Sequence, residues 1–263
     1  MIKLNYELIE QNHFPDGSLL MKTDNFYCGM HNENIIEWKY ENDGELFALY
    51  SLARHIKTHS PERAMVLFMN YIPHARQDRV KKREDVFTLK YFSEIINSMG
   101  FDKVYVLDPH SSVSEALIDN LVINNGKDKI RQVIDELIIS PIVYYPDNGA
   151  YKKYSDFINM PSCYGVKNRD WSTGKILGLD VITNGIDIKD KTILMIDDII
   201  SYGGSMYYSA KKLKELGCGD IYIYASHVEN SILEGDLIKS GLFKRIYTTN
   251  SLFSGEHELI EIL

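Results

Sequence analysis

Two adjacent carboxylates followed by a glycine-containing loop are the clearest sign of a binding or catalytic site in this chain. In the run ILMIDDIISYGGSM (193–206), four apolar residues predict a buried strand over 193–196, and Asp197 and Asp198 come directly after it. A short loop leads from there into a helical pattern that extends through Leu216; the loop consists of Ser201, Tyr202, Gly203, Gly204 and Ser205.

This order of groups suits a phosphorylated sugar. Glycines allow backbone N–H groups to approach phosphate oxygens, and the amino end of a helix favours an anion. The hydroxyls of Ser201 and Ser205 add hydrogen-bond donors. Because carboxylates would repel a phosphate, we expect Asp197 and Asp198 to bind ribose hydroxyls or a metal ion. An ordinary strand–turn–helix unit with acids at its mouth is the alternative that these residues leave open.

A second cluster of charged residues occurs in the run NYIPHARQDR (70–79), directly after a predicted strand. Guanidinium groups bind polyphosphates through paired hydrogen bonds, and a glutamine amide can recognise the edge of a base. The cluster therefore favours a nucleotide, with a solvated charged loop as the alternative; its members are Arg76, Gln77, Asp78 and Arg79.

Composition excludes several classes of protein. The 263 residues are 44% hydrophobic and 25% charged, and no apolar run reaches the length of a membrane span. A net charge of −8 argues against a nucleic-acid-binding surface. The first residues lack the apolar stretch of a signal peptide, and the odd count of Cys28, Cys163 and Cys218 predicts free thiols in a reducing cytoplasm.

Strand and helix patterns alternate along the chain, which predicts an α/β fold with mostly parallel strands. Helices are expected over 45–59, 88–99 and 128–137, and strands over 64–70, 103–107, 141–145, 193–196, 221–226 and 245–249. The stretch 121–127 is a plausible boundary, so we predict an N-terminal domain over 1–122 and a C-terminal domain over 123–263.

Taken in order, these motifs resemble those of the ribose-phosphate pyrophosphokinase family. PHARQDR (73–79) is similar to the family's PYARQDR, with His74 in place of Tyr. The loop 201–205 resembles the phosphoribosyl-diphosphate (PRPP) binding loop, with Tyr202 in place of Thr. Phosphoribosyltransferases share this loop but lack the ARQDR motif, so the motif separates the two classes.

Shorter segments resemble the family in the same order along the chain. FPDGSLLMK (14–22) is similar to the FxDGE segment, with Ser18 in place of Glu, and LDPHS (107–111) resembles VDLHA. YPDNGA (145–150) is similar to SPDxGG, and YASH (224–227) to YATH. YGVKNRD (164–170) resembles the start of a mobile catalytic loop, with Lys167 and Arg169 at two of its basic positions.

The resemblance implies two tandem phosphoribosyltransferase-like domains, the first binding ATP and the second a sugar phosphate. It implies transfer of the β,γ-diphosphate of ATP to the C1 hydroxyl of ribose 5-phosphate with Mg²⁺, by a cytoplasmic homo-oligomer, either a dimer or a hexamer. Lys167 and Arg169 would be catalytic, and His110 and Asp147 would lie at the metal. ATP would be bound by Phe14, Asp16, Gly17, Arg76, Gln77, Asp78, Arg79 and His110, and the sugar phosphate by Asp197, Asp198 and residues 201–205.

Departures from the family pattern leave alternatives open. Tyr202 offers a flat aromatic face that could stack on a base, so the acceptor could instead be ADP-ribose, giving ADP-ribose pyrophosphate for NAD⁺ salvage. A phosphoribosyltransferase or a non-catalytic synthetase-associated protein is a further alternative. Because the chain is shorter than typical members, allosteric control by nucleotides is not expected.

Overall fold

The computed structural model describes residues 1–23, 33–169 and 176–263, with the backbone alone for 167–169 and 176–178. The chain divides into two compact units, Met1–Asn125 and Gly126–Leu263. In these ranges no helix has both the length and the apolar character needed to cross a bilayer.

The first unit is built on a six-stranded sheet in the order β2-β1-β5-β6-β7-β8, with a separate hairpin of β3 and β4. Strands β5 to β8 are parallel, whereas β1 pairs antiparallel with both β2 and β5. The strands are β1 (Ile2–Leu4), β2 (Glu7–Leu8), β3 (Gln11–His13), β4 (Leu19–Met21), β5 (Glu33–Trp38), β6 (Ala64–Phe68), β7 (Lys103–Leu107) and β8 (Leu121–Asn124).

Helices α1 (Glu45–His59), α2 (Thr88–Met99) and α3 (Val113–Leu117) belong to the same unit. Apolar residues recur on one face of α1 and α2 and pack with alternate residues of the sheet into one core, because that spacing places them on a single side of each helix. Gly100 ends α2 in the left-handed conformation, with φ of 70°. The helices predicted over 45–59 and 88–99 are confirmed.

The second unit is built on a seven-stranded sheet in the order β11-β10-β9-β12-β13-β14-β15. All neighbouring strands are parallel except the antiparallel pair β10 and β11. The strands are β9 (Ile142–Tyr145), β10 (Ser162–Arg169), β11 (Ile176–Ile182), β12 (Ile193–Ile200), β13 (Ile221–Val228), β14 (Arg245–Thr248) and β15 (Ile260–Ile262). The mostly parallel α/β class is therefore confirmed in both units.

Helices of the second unit are α4 (Lys127–Glu136), α5 (Asn148–Tyr154), α6 (Gly204–Glu215) and α7 (Asp236–Lys239), with a 3₁₀ helix over Asn230–Glu234. Side chains of α6 and α7 pack with Ile193 and Met195 on one face of the sheet. Side chains of α4 and α5 pack with Leu194 and Ile196 on the other face. Because both faces of β12 are covered in this part, residues 193–196 form a continuous apolar run rather than an alternating one.

Two strand predictions are wrong. The strand over 193–196 is too short, since β12 continues through Asp197 and Asp198 and stays paired with β13 as far as Ile200 and Val228. The strand near 245–249 is not the last, because the short strand β15 adds to β14 in parallel. Backbone pairing across the sheet determines both results, and the local pattern of apolar residues does not contain that information.

Candidate active site

A reversal of strand order creates a crevice in the second unit. From β9 the chain passes through α5 to β10 on one side, whereas β12 lies on the other side of β9 and leads through α6 to β13. Strand β12 pairs with β9 only from Ile193 to Met195, and then continues beside β13 to Ile200. In open α/β sheets ligands bind at such a reversal, outside the carboxyl ends of the strands.

The two adjacent acids lie on β12 where it extends past β9. Asp197 accepts a hydrogen bond from the backbone N–H of Asp198, with 3.0 Å between the Oδ1 and nitrogen atoms. Asp198 is buried, and its Oδ2 lies 3.1 Å from the Nζ of Lys153 on α5. The acids were predicted to follow the strand, and their position inside it gives them a rigid backbone.

The glycine loop after β12 has the geometry expected of an anion site. Gly203 has φ of 78°, a left-handed conformation that a larger residue would adopt only with strain, and α6 begins at the next residue. Gly204 and Ser205 are exposed in the first turn of α6, where backbone N–H groups are not used within the helix. Tyr202 is 59% exposed.

A second chain segment supports this loop from behind. A Cβ atom added to Gly235 would overlap the carbonyl oxygen of Tyr202 and lie 3.0 Å from the carbonyl carbon. A Cβ on Gly203 would lie 2.9 Å from the Cβ of Leu237. The segment that leads into α7 therefore fixes the loop by direct backbone contact. Gly235 was not among the site residues predicted from the sequence.

The loop after β9 carries Asp147 on the other side of the crevice. Its Oδ1 accepts hydrogen bonds from the backbone N–H groups of Gly149 and Ala150, at 3.0 and 3.2 Å. Asp147 is thus the N-cap of α5, and the capping contacts hold its carboxylate in one orientation.

Lys167 and Arg169 were predicted in a mobile loop, and the structure places their backbones in β10 instead. Lys167 pairs with Leu179 of β11 and Arg169 with Ile176, with a register shift at Asn168 and Arg169. Residue 170, with which the predicted loop motif ends, lies outside the described residues. The catalytic roles of Lys167 and Arg169 stay predictions.

In the first unit, Asp78 connects the ARQDR segment to the segment after β7. Its carboxylate accepts two hydrogen bonds from Arg79, at 2.6 and 2.7 Å, and one from the hydroxyl of Ser111, at 2.7 Å. The Arg79 guanidinium, with help from Ser111, lowers the pKa of Asp78 to about 2. Ser111 is buried and precedes α3, and it was not among the site residues predicted from the sequence.

Neighbouring residues of the ARQDR segment have defined positions. Gln77 accepts a hydrogen bond from Thr88 at 2.8 Å, which ties the segment to the start of α2. His74 has φ of 65°, and its Nε2 lies 3.0 Å from Asp43. Arg76 and Arg79 are exposed, as is His110, which follows β7. The Asp78–Ser111 contact therefore joins the segment that carries these arginines to the one that carries His110.

The FxDGE-like segment forms the tip of the hairpin between β3 and β4. Gly17 takes φ of 84°, and its N–H donates to the carbonyl of Phe14 at 2.8 Å. Asp16 accepts hydrogen bonds from the N–H and the hydroxyl of Ser18, at 2.9 and 2.6 Å, and these contacts lower the pKa of Asp16. Phe14 is 50% exposed, so the tip presents an aromatic ring and a carboxylate to solvent.

The predicted site residues thus form two groups, one in each unit. The proposed metal residues are divided between them, because His110 belongs to the first unit and Asp147 to the second. In the described part of the chain no cluster of three or more His, Cys, Asp or Glu side chains is suited to a metal ion. The shared metal site of His110 and Asp147 therefore remains a prediction.

Comparison with known proteins gives matches over nearly the whole chain, although no protein-family profile matches it. A ribose-phosphate pyrophosphokinase from Saccharolobus solfataricus is 25% identical over 264 residues, which cover 97% of this chain and 88% of that protein. One from Clostridium tetani is 26% identical over 259 residues, covering 92% and 77%. The chain is a homologue of the ribose-phosphate pyrophosphokinases.

A solved structure supports the same fold for this pyrophosphokinase homologue. Phosphoribosylpyrophosphate synthetase from Mycobacterium smegmatis superposes with a TM-score of 0.80 at 19% identity, over 97% of this chain and 85% of that one. The predicted fold class, two tandem phosphoribosyltransferase-like domains, is confirmed.

The Asp78 contacts predict an acid-dependent loss of stability. The folded-state pKa of about 2 lies below the ordinary value of 3.8, so the ionised carboxylate stabilises the fold above that value, and the effect is lost as pH falls through 2. The Asp78→Asn variant should therefore unfold at lower urea concentration than the wild type at pH about 6, with the difference shrinking between pH about 4 and 2. Asp119→Asn, at an exposed aspartate, is the control, and a pH-independent Asp78→Asn deficit would contradict the assignment.

The close contact of Gly235 with Tyr202 predicts a specific loss of anion binding. Gly235 has φ of −73°, which alanine adopts without strain, so a Gly235→Ala variant acts mainly through the overlap with the Tyr202 carbonyl. Displacing the loop should weaken ribose 5-phosphate binding by about tenfold or more, measured by calorimetry.

Gly219→Ala provides the matched control for this experiment. Gly219 lies in the turn between α6 and β13. A Cβ atom added to it would also contact backbone atoms, at 3.0 Å from the carbonyl oxygen of Asp190. It should lower the melting temperature without changing the affinity for ribose 5-phosphate. Equal affinities for the Gly235→Ala variant and the wild type would show that this contact does not position the loop.

Proposed function

We propose that the chain is a ribose-phosphate diphosphokinase, which transfers the β,γ-diphosphate of ATP to the C1 hydroxyl of ribose 5-phosphate and releases AMP. The main support is that both recognition segments occur in one chain, and that two pyrophosphokinase relatives align with 97% and 92% of it. The ARQDR segment suits the nucleotide, and the glycine loop at the strand reversal suits the sugar phosphate. A phosphoribosyltransferase would have no use for the first segment.

In this reaction the C1 oxygen of the sugar attacks the β-phosphorus of ATP. The bond between the β-phosphorus and the oxygen that bridges to the α-phosphorus breaks, AMP leaves, and the hydroxyl proton is released. Catalysis of phosphoryl transfer comes mostly from positioning and from stabilisation of negative charge. We assign charge stabilisation on the diphosphate to Lys167 and Arg169.

We assign the nucleotide to residues of the first unit. The exposed guanidinium groups of Arg76 and Arg79 suit the phosphates of ATP, and Gln77 suits its base. Asp78 orients Arg79 through the two hydrogen bonds described above. The exposed hairpin tip with Phe14, Asp16 and Gly17 would bind ATP as well, in a neighbouring subunit of a homo-oligomer.

We assign the acceptor sugar to residues of the second unit. The loop 201–205, with the amino end of α6, would bind the 5′-phosphate through backbone N–H groups and the hydroxyls of Ser201 and Ser205. Asp197 and Asp198 would accept hydrogen bonds from the ribose hydroxyls, and as ionised carboxylates they offer both oxygens as acceptors.

The resemblance implies Mg²⁺, which the carboxylate oxygens of Asp147 suit. In nucleotide sites Mg²⁺ is held by one or two protein groups, by water and by the phosphates themselves. Asp147, with an oriented carboxylate, and the exposed His110 are the residues we assign to it. When bound, Mg²⁺ would neutralise charge on the transferred diphosphate. The homo-oligomer, the cytoplasmic location and the lack of a nucleic-acid partner are further proposals from the sequence.

Release of AMP tests the proposed function. The protein should produce AMP from ATP and Mg²⁺ when ribose 5-phosphate is added, in amounts that match the acceptor consumed, and chromatography should show PRPP. Omitting the acceptor controls for simple ATP hydrolysis. Failure to release acceptor-dependent AMP with any phosphorylated ribose would favour the non-catalytic alternative.

One observation keeps ADP-ribose as a second candidate acceptor. The Tyr202 side chain is 59% exposed beside the loop assigned to the 5′-phosphate, so its ring is available to stack on a base. ADP-ribose in parallel reactions separates the candidates, because AMP with ADP-ribose alone would replace ribose 5-phosphate as the acceptor. We expect activity with ribose 5-phosphate, in agreement with the relatives.

Lys167 is assigned to stabilise charge on the diphosphate, so removing its side chain should lower turnover. Lys167→Ala should lower kcat by about 100-fold or more, because transition-state charge on the diphosphate would lose a cation. The KM for each substrate should change much less. Lys191→Ala, at an exposed lysine before β12, is the control, and full turnover by the Lys167→Ala variant would remove Lys167 from the mechanism.

A further inference from the structure

We propose that Lys153 is a positioning residue for the acceptor sugar, acting through Asp198. Its ammonium group holds the Asp198 carboxylate in place and offsets one of the two adjacent negative charges beside the phosphate loop. This inference rests on the proposed function, since it concerns how the same site accepts a sugar phosphate.

The contact between Lys153 and Asp198 joins the two sides of the crevice. Lys153 lies in the last turn of α5, the helix that begins directly after β9 and Asp147. Asp198 lies on β12, where that strand has passed the end of β9. Their 3.1 Å ion pair therefore spans the point at which strand order reverses, which is where the ligand is expected.

Because Asp198 is buried, this ion pair has a large effect on its carboxylate. The side chain of Asp198 is 9% exposed and that of Lys153 28%. A carboxylate with little access to water is costly to keep ionised unless a cation is close to it. Lys153 therefore supports the ionised form of Asp198, in which both carboxylate oxygens can accept hydrogen bonds from sugar hydroxyls.

The charge balance also favours an anionic ligand. Asp197 and Asp198 together carry two negative charges close in sequence to the loop that would bind a phosphate. With Lys153 included, the three side chains carry one net negative charge. Removing Lys153 would double that charge in a poorly solvated place, where Coulomb repulsion of a phosphate is weakly screened.

The position of Lys153 on α5 distinguishes it from its neighbour. Lys152 is exposed, whereas Lys153 is half-buried, with its Nζ 5.4 Å from the ring centre of the buried Tyr154. The Tyr154 ring packs in the core between α5 and the sheet, so it limits the directions that the Lys153 side chain can take. Lys152 thus serves as a control of the same residue type on the same helix.

The test compares Lys153→Met, Lys153→Arg and Lys152→Met with the wild type. The methionine removes the charge and keeps an apolar side chain of similar length, and the arginine keeps the charge. Two measurements are made on each variant: ribose 5-phosphate binding by calorimetry without ATP, and KM for each substrate from AMP release. The melting temperature of each variant is measured first, so that all assays are run well below the temperature at which any variant unfolds.

We expect the Lys153→Met variant to bind ribose 5-phosphate about 10- to 100-fold more weakly, with a matching rise in the acceptor KM and little change in the ATP KM. Lys153→Arg should recover most of the affinity, and Lys152→Met should behave as the wild type does. In an Asp198→Asn background, Lys153→Met should have little further effect, because the group it acts through is already neutral.

Several outcomes would overturn the proposal. One is unchanged acceptor affinity in the Lys153→Met variant, and another is an equal loss for both substrates. A full additional loss in the Asp198→Asn background would show that Lys153 does not act through Asp198. The binding measurement separates this proposal from the proposed function, since a wild type that binds ribose 5-phosphate but releases no AMP would refute the function and leave the Lys153 comparison intact.

Discussion

The unequal lengths of two neighbouring strands determine how the acceptor site is built. Strand β12 runs five residues beyond its pairing with β9, so Asp197 and Asp198 are held by the β13 ladder on one side and face the end of β9 on the other. Because the order in which the chain adds strands to the sheet reverses between β9 and β12, α5 and α6 begin on opposite sides of that gap. The N-cap at Asp147, the glycine loop and the Lys153–Asp198 pair all belong to the segments on either side of this gap.

Backbone contacts, more than side chains, give the glycine loop its shape. Gly203 supplies the left-handed residue before α6, and Gly235 allows the neighbouring segment to approach the Tyr202 carbonyl within a distance that any side chain would prevent. A loop fixed in this way presents its N–H groups without reorganising when an anion binds. In the first unit side-chain contacts hold the ARQDR segment instead, because the Ser111 hydroxyl and the Arg79 guanidinium both donate hydrogen bonds to the Asp78 carboxylate.

The fold class and the recognition segments could be predicted from the sequence, because hydrophobic periodicity and glycine positions are local features of the chain. The sequence predicted α1 and α2 to the residue and placed the glycine loop correctly between a strand and a helix. It could not reveal where strand pairing ends, so it missed the extension of β12 through the acids. Ser111, Lys153 and Gly235 were also missed, since each acts through a residue 33 or more positions away, and only the folded chain brings such pairs together.

The departures from the family motifs differ in how far the fold accounts for them. His74 pairs with Asp43 and packs against Phe92, with ring centres 5.5 Å apart, so its role is explained within the first unit. Ser18 likewise has a local role, because it holds the Asp16 carboxylate at the hairpin tip. The Tyr202 ring, by contrast, is mostly exposed while its backbone is tightly packed by Gly235. A side chain that the fold leaves exposed, on a backbone that the fold fixes, is available for contact with a ligand.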